Sequence, residues 1–309
     1  MTAIIEVDNL TKSYGRRRGI ADVSFQVGEG EVFGFLGPNG AGKTTTIRIL
    51  MALIRADSGT AKISGLDCWA KSVDIKRSIG YVPGEPSLDG SLTGGQILEY
   101  FAHLRGGVDQ KHRKHLVQRL DLDTGRKFRQ YSTGNKRKVV LIQAFMHKPR
   151  VLILDEPTSG LDPLNQQEFD GMVREARDEG CTVFLSSHVL SEVEKTCTRV
   201  GIIREGRLVK VGGVHDLRDI KRYEITISFA QQVPVEAFAQ LEGVAGVERL
   251  NDGRGLRLAM QGSADAVIKA AAHYPVVSLT SYEPSLEDVF LRYYESDGKA
   301  AREVAANVV

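Results

Sequence analysis

An apolar run, Val32 to Leu36, passes directly into Gly37-Pro38-Asn39-Gly40-Ala41-Gly42-Lys43-Thr44 and from there into a helical segment, Lys43 to about Ile54. No other stretch of the 309 residues restricts the fold so tightly. Glycines at this spacing let successive backbone N–H groups curl around a phosphate, and the helix that follows aims its free amides at the same anion. Residues 37–44 are therefore expected to form a phosphate cradle. Lys43 pairs with the outer phosphate oxygens, Thr44 brings its hydroxyl to Mg2+, and Thr45 reaches the innermost phosphate.

Two further apolar runs fit the same scheme. Val151 to Leu154 ends in Asp155 and Glu156, and Thr182 to Leu185 ends near His188. Continuous rather than alternating apolar strands, separated by helical stretches such as Asn165 to Arg177, indicate a parallel sheet covered on both faces. In such a sheet the strand C-termini share one crevice. Asp155 is then expected to hold Mg2+ through water, Glu156 to orient or deprotonate an attacking water, and His188 to touch the terminal phosphate. Strands are also expected at Ile4 to Val7 and Val23 to Val27, and a mostly helical region, Thr93 to Leu120, reads as an insertion into the sheet order.

After Gly212 and Gly213 the pattern changes. Strand Tyr223 to Phe229, helix Val235 to Leu241, strands Val247 to Asn251 and Leu256 to Met260, helix Ala264 to Ala272 and strand Val276 to Thr280 give β-α-β-β-α-β, the ferredoxin-like order. A helical segment, Leu286 to Tyr294, precedes an Ala-rich, charged tail that is expected to be mobile.

Composition excludes several classes. Lys plus Arg (41) nearly balance Asp plus Glu (39), so a net charge of +2 sets up no field that calls for nucleic acid. The basic run Lys136-Arg137-Lys138 reads as a solvated helix face. Cys68, Cys181 and Cys197 are too scattered for a disulfide framework or a zinc site and are read as reduced cytosolic thiols. Met1 to Leu10 alternates apolar and polar residues, unlike a secretory leader. No run approaches the ~18 apolar residues that cross a bilayer, so any crossing falls to another chain.

With these motifs in order, the chain resembles the ATP-binding subunits of ABC transporters from Met1 to about Val211. Ser159-Gly160-Leu161-Asp162 is similar to the family's D-loop, His188 to its switch histidine, and Tyr14 to the aromatic that stacks on adenine. Tyr131-Ser132-Thr133-Gly134-Asn135-Lys136-Arg137-Lys138 is similar to the signature Leu-Ser-Gly-Gly-Gln; it keeps Ser132 and Gly134 and departs at Tyr131, Thr133 and Asn135. Gly84, in Ile79-Gly-Tyr-Val-Pro-Gly84-Glu85-Pro86, stands where the family has its Q-loop glutamine. Either Glu85 supplies an oxygen to Mg2+, or the loop acts by backbone motion through conformations that glycine permits; the second is preferred. Pro284 to Leu291 resembles an ending found in ABC-2 type exporters, including drug and antibiotic exporters.

The resemblance implies a P-loop NTPase of ABC type over 1–218 with a helical subdomain at about 86–148. An α+β ferredoxin-like domain follows at 219–295 and a mobile tail at 296–309. It implies ATP and Mg2+ as ligands, with Ser132, Gly134 and Asn135 reaching ATP across a homodimer or pseudo-dimer and Asp162 among the ATP-binding residues. It also implies an integral membrane permease on a separate chain, a peripheral place on the cytoplasmic side of the cell membrane, ATP hydrolysis coupled to export, and no nucleic acid. The alternatives are an ABC ATPase acting on ribosome or nucleic acid, and a regulatory ATP-binding module of low turnover.

Overall fold

The computed structural model describes residues 2–15, 17–214 and 222–282. The expected helix Leu286 to Tyr294, the ending Pro284 to Leu291, the tail 296–309 and the expected boundary at 218/219 lie outside these residues. The chain divides into two compact units, Met1–Gly213 and Val214–Val309.

In the first unit, β1 (Ala3–Tyr14), β2 (Arg17–Gly28), β4 (Ser58–Ile63) and β5 (Leu66–Asp67) form an antiparallel sheet in the order β2-β1-β4-β5. This separate sheet is not apparent from the sequence, where Ile4 to Val7 and Val23 to Val27 read as strands without a partner. A second sheet has six strands, β3 (Val32–Leu36), β6 (Ile79–Val82), β7 (Val151–Asp155), β8 (Thr182–Ser187), β9 (Arg199–Arg204) and β10 (Arg207–Gly213), ordered β10-β9-β3-β8-β7-β6. All its pairings are parallel except that of β10 with β9. Every residue of β3, β7 and β8 is buried, as continuous apolar runs require. Phe25 of β2 closes the gap between the sheets: its ring lies 5.6 Å from Phe33 and 5.7 Å from Phe184.

The first-unit helices are α1 (Lys43–Leu50), α2 (Ser72–Ser78), α3 (Gly94–Leu104), α4 (Gln110–Arg119), α5 (Thr133–Phe145), α6 (Pro163–Asp178) and α7 (Leu190–Thr196). Helix α1 ends earlier than the expected Ile54 because the backbone turns left-handed at Ala52, φ 48°. The expected helical region Thr93 to Leu120 is two helices, parted at Gly106 and Gly107, whose φ values of 76° and 110° suit glycine alone. Helices α3, α4 and α5 lie between β6 and β7 in sequence, which makes the helical segment an insertion into the sheet. Thr93 starts α3 with a reciprocal capping box: its hydroxyl accepts from Gln96 N–H and its own N–H donates to the Gln96 side chain.

Residues 222–282 form β11 (Arg222–Phe229), α8 (Glu236–Ala239), β12 (Val244–Leu250), β13 (Gly255–Gln261), α9 (Asp265–Ala271) and β14 (Val276–Tyr282). The sheet is antiparallel in the order β12-β13-β11-β14, the ferredoxin-like arrangement. Ile225, Ile227, Leu256 and Leu258 of the strands pack with Phe238 and Val267 of the helices in one apolar core.

The three cysteines are free and buried, and burial pushes the Cys68 and Cys181 thiols up to about 12. At that value the nucleophilic thiolate is scarce near neutral pH.

Candidate nucleotide site

Strand register assembles the site. Leu36 pairs with Ser187, Asp155 with Ser186, and Val82 with Leu154. The glycine loop after β3, the acidic pair at the end of β7, the Ser186–His188 turn and the Pro83–Gly84 loop thus reach the same end of the sheet. Gly37 N–H donates to Ser187 O at 3.2 Å. A side chain at Gly37 would put its Cβ 2.3 Å from Ile203 O, so the loop's entry admits only glycine. Gly40 and Gly42 turn at φ 81° and 112°, and Gly42 leads into α1. Thr44 and Thr45 sit half-buried in the first turn, whose amides have no partner within the helix. Pro38 is half-buried, Asn39 and Gly40 are exposed at the tip, and Ala41 is buried.

Lys43 is buried, 4 % exposed. Its ammonium donates to Gly37 O at 2.7 Å and Pro38 O at 3.2 Å and pairs with Glu156 Oε1 at 3.2 Å. The same carboxylate oxygen lies 3.3 Å from His188 Nδ1. Three residues from three separate strand ends therefore converge. Glu156 sits at φ 47°, and its N–H donates to Ser186 O and Ser186 Oγ, which fixes the turn.

Asp155 is 1 % exposed. Ser186 Oγ donates to its Oδ1 at 2.7 Å, while Oδ2 is buried without a hydrogen-bond partner. An orphaned carboxylate oxygen in a buried site is costly unless a cation or its water satisfies it. One buried carboxylate, with the Thr44 hydroxyl in the loop at the same end of the sheet, suits Mg2+, which takes few protein oxygens and completes its shell with water and phosphate.

Ser132 is the N-cap of α5 and accepts from Asn135 N–H at 3.3 Å. Gly134 lies against the D-loop-like turn: a Cβ there would be 2.7 Å from Gly160 O. Asp162 caps α6, accepting from the Asn165 backbone N–H (3.0 Å) and side chain (2.6 Å), and these bonds hold its carboxyl below the usual range. Tyr14 is 42 % exposed at the end of β1, with Lys12 Nζ 6.0 Å from its ring centre. Glu85 is exposed and makes no hydrogen bond or ion pair with the other described residues. Gly84 faces the acidic pair instead, its would-be Cβ 3.1 Å from Asp155 Oδ2. Its φ lies outside the left-handed region, so a missing side chain, rather than conformational freedom, distinguishes this position.

Four residues have a place that the sequence does not signal. Ser186 bonds to both members of the acidic pair. Glu192 accepts from Thr158 Oγ1 and from Ser187 Oγ, both at 2.7 Å, and so ties the turn after Glu156 to the one before His188. Arg137 and Lys138, expected on a solvated face, are only 2 % and 8 % exposed. The inserted helices place that side of α5 against the loops of the sheet, which no local pattern signals.

Beside the site, a cavity of about 270 Å3 opens between the Tyr81–Pro83 strand end and α3, lined by Leu88, Phe101, Arg105 and Gln143. Tyr100 and Leu104 of α3 are exposed.

A strand, glycine loop and helix, with an acidic pair at the end of a parallel strand one place removed in the same sheet, define a P-loop nucleotide-binding protein. Residues 20–159 match the ABC transporter family, and residues 212–294 match the C-terminal domain of DrrA1-3-like ATP-binding proteins. The uncharacterized ABC transporter ATP-binding protein YhcH of Bacillus subtilis is 37 % identical over 313 residues, covering 98 % of this chain and 99 % of that one. The bacitracin transport ATP-binding protein BcrA of Bacillus licheniformis is 33 % identical over 304 residues, 94 % of this chain and 97 % of the relative. A solved ATP-binding subunit of an ABC transporter superposes with a TM-score of 0.65 at 30 % identity, covering 70 % of this chain and 92 % of that structure. The chain belongs to the family of ABC transporter ATP-binding proteins.

Proposed function

We propose that this protein hydrolyses Mg-ATP as the motor subunit of an exporter. The observation that carries the reading is the convergence of Lys43, Glu156 and His188 within 3.3 Å, beside an Asp155 oxygen that lacks a partner. The loop amides of 37–45 and Lys43 hold the phosphates. Glu156 accepts a proton from water as that water attacks the terminal phosphorus and the bond to the bridging oxygen breaks. His188 directs the Glu156 carboxylate and reaches the departing phosphoryl group. Mg2+, held by Thr44 and Asp155, would offset phosphate charge when bound.

The site as built from one chain lacks a lid. Ser132, Gly134, Asn135 and Asp162 stand at helix starts whose amides suit an anion, and two copies or a pseudo-dimer set head to tail would bring them onto ATP held by the other subunit. Tyr14, exposed, supplies a face for adenine. The cavity between Tyr81 and Phe101, with Tyr100 and Leu104 nearby, is where a membrane-spanning permease on another chain would engage. No helix among the described residues is long and apolar enough to cross a membrane; as the partner of such a permease the chain would sit at the cytoplasmic face of the membrane. The similarity to a bacitracin transport ATP-binding protein makes bacitracin the first substrate to test.

Glu156→Gln should lower turnover about 100-fold or more, since general-base catalysis contributes roughly that much, while ATP still binds and dimers last longer in ATP. Turnover and dimer lifetime both at wild-type values would mean that Glu156 does not activate the attacking water.

A further inference from the structure

Position 84 has no side chain with which to pass a displacement to the acidic pair, but its backbone is firmly held. Arg137, in the second turn of α5, donates from Nη1 to Pro83 O and from Nη2 to Gly84 O, both at 2.6 Å, and from Nε to Ser159 O at 3.3 Å. All three acceptors are backbone carbonyls on two different loops. Burying a guanidinium is unfavourable unless its donors are satisfied, and charge-assisted bonds to carbonyls are stronger than neutral ones. Burial lowers its pKa, against the pull of Asp155 and Glu156, the charges nearest in effect. The fork geometry of arginine reaches two loops at once, which a lysine cannot do.

A second contact runs beside the first. Gly134, one turn earlier in α5, lies so close to Gly160 that a Cβ would come within 2.7 Å of its carbonyl. The start of α5 is therefore joined to the turn after Glu156 through backbone, and to the Pro83–Gly84 loop through Arg137. Gly84 in turn rests against Asp155 Oδ2.

We infer that Arg137 is a positioning residue that carries movement of the Ser132–Asn135 end of α5, through the Gly84 carbonyl, to the Asp155–Glu156 pair. This rests on the ATPase reading above, which supplies the cause of the movement. In this chain the loop after β6 signals by backbone, and the arginine is its handle.

The test uses the full chain with Arg137→Gln and Arg137→Lys, reading ATPase kinetics and amide hydrogen exchange of residues 80–90 and 37–46 with and without ATP. Arg137→Gln should lower kcat about tenfold or more with KM within about threefold, as loss of a supporting partner does. ATP should still protect residues 37–46 but no longer change exchange at 80–90. Arg137→Lys, which keeps the charge but not the fork, should fold as wild type and recover kcat only in part. The inference is overturned if exchange at 80–90 responds to ATP in Arg137→Gln as in wild type. It is also overturned if both variants lose protection throughout the domain, since the role is then only structural. An inactive wild-type chain would remove the ATPase reading instead, and exchange at 80–90 with a bound ATP analogue would still decide the role of Arg137.

Discussion

The parallel sheet of the first unit and the antiparallel sheet of residues 222–282 both pack against helices, but they bury different things. The second buries apolar side chains alone: Ile225, Ile227, Phe229, Phe238, Leu256, Leu258, Met260 and Val267 among them. Every buried polar or charged side chain among the described residues, including Lys43, Arg137, Asp155, Ser186 and Ser187, belongs to the first unit. Buried charges cost free energy unless each finds a partner, so a chain keeps them where chemistry needs them. The contrast separates a region arranged around ligands from one arranged around packing.

Cutting into the apolar core tests that contrast hardest. Phe238 is fully buried, 5.9 Å from Phe229 and 6.1 Å from Tyr274. Phe238→Ala should take about 3–5 kcal/mol from the second unit and leave ATP affinity unchanged. Urea unfolding followed by far-UV circular dichroism should then show an early transition that the fluorescence of Trp69, the sole tryptophan and part of the first unit, does not share. Coincident shifts in both signals would mean that the two sheets are not separate in function or in stability.

A smaller effect is expected at the mouth of the phosphate loop. The Cβ introduced by Gly37→Ala meets Ile203 O, so the loop must move, and ATP should bind about tenfold more weakly, the equivalent of ~1.4 kcal/mol, by calorimetry. Unchanged affinity would show that the loop tolerates displacement. The smallest change is at Gly84. Its φ accepts an L residue and its Cβ would be 3.1 Å from Asp155 Oδ2, so Gly84→Ala should shift the Mg2+ dependence of turnover by about threefold at most, ~0.6 kcal/mol. A large loss there would show that the close approach to Asp155, more than the Arg137 clamp, governs this loop.

Legibility in the sequence follows a physical pattern. Gly37 to Thr44 and the Asp155–Glu156 pair announce themselves because the chemistry lies within a few consecutive residues. The β-α-β-β-α-β order of residues 222–282 is legible because β11 and β13 alternate buried and more exposed residues and turns intervene. Ser186, Glu192 and Arg137 are silent because their roles come from register and from helices brought in from elsewhere in the chain. A basic triplet reads as solvent-facing until α5 is laid against the Pro83–Gly84 loop. The antiparallel sheet of β1, β2, β4 and β5 is hidden for a like reason: it pairs residues far apart in the chain, Ile5 with Ile63 and Asp8 with Thr60.

The backbone at Glu156 sets two demands on that residue against each other. A φ of 47° is comfortable for glycine and costs a glutamate about 1 kcal/mol. Selection for folded abundance alone would pull this position toward glycine or asparagine, whereas under the proposed hydrolytic role selection for turnover would hold the carboxylate in place. The residue thus marks a spot where fitness and thermal endurance favour different amino acids, and where a stabilised lineage would be expected to have traded away its work.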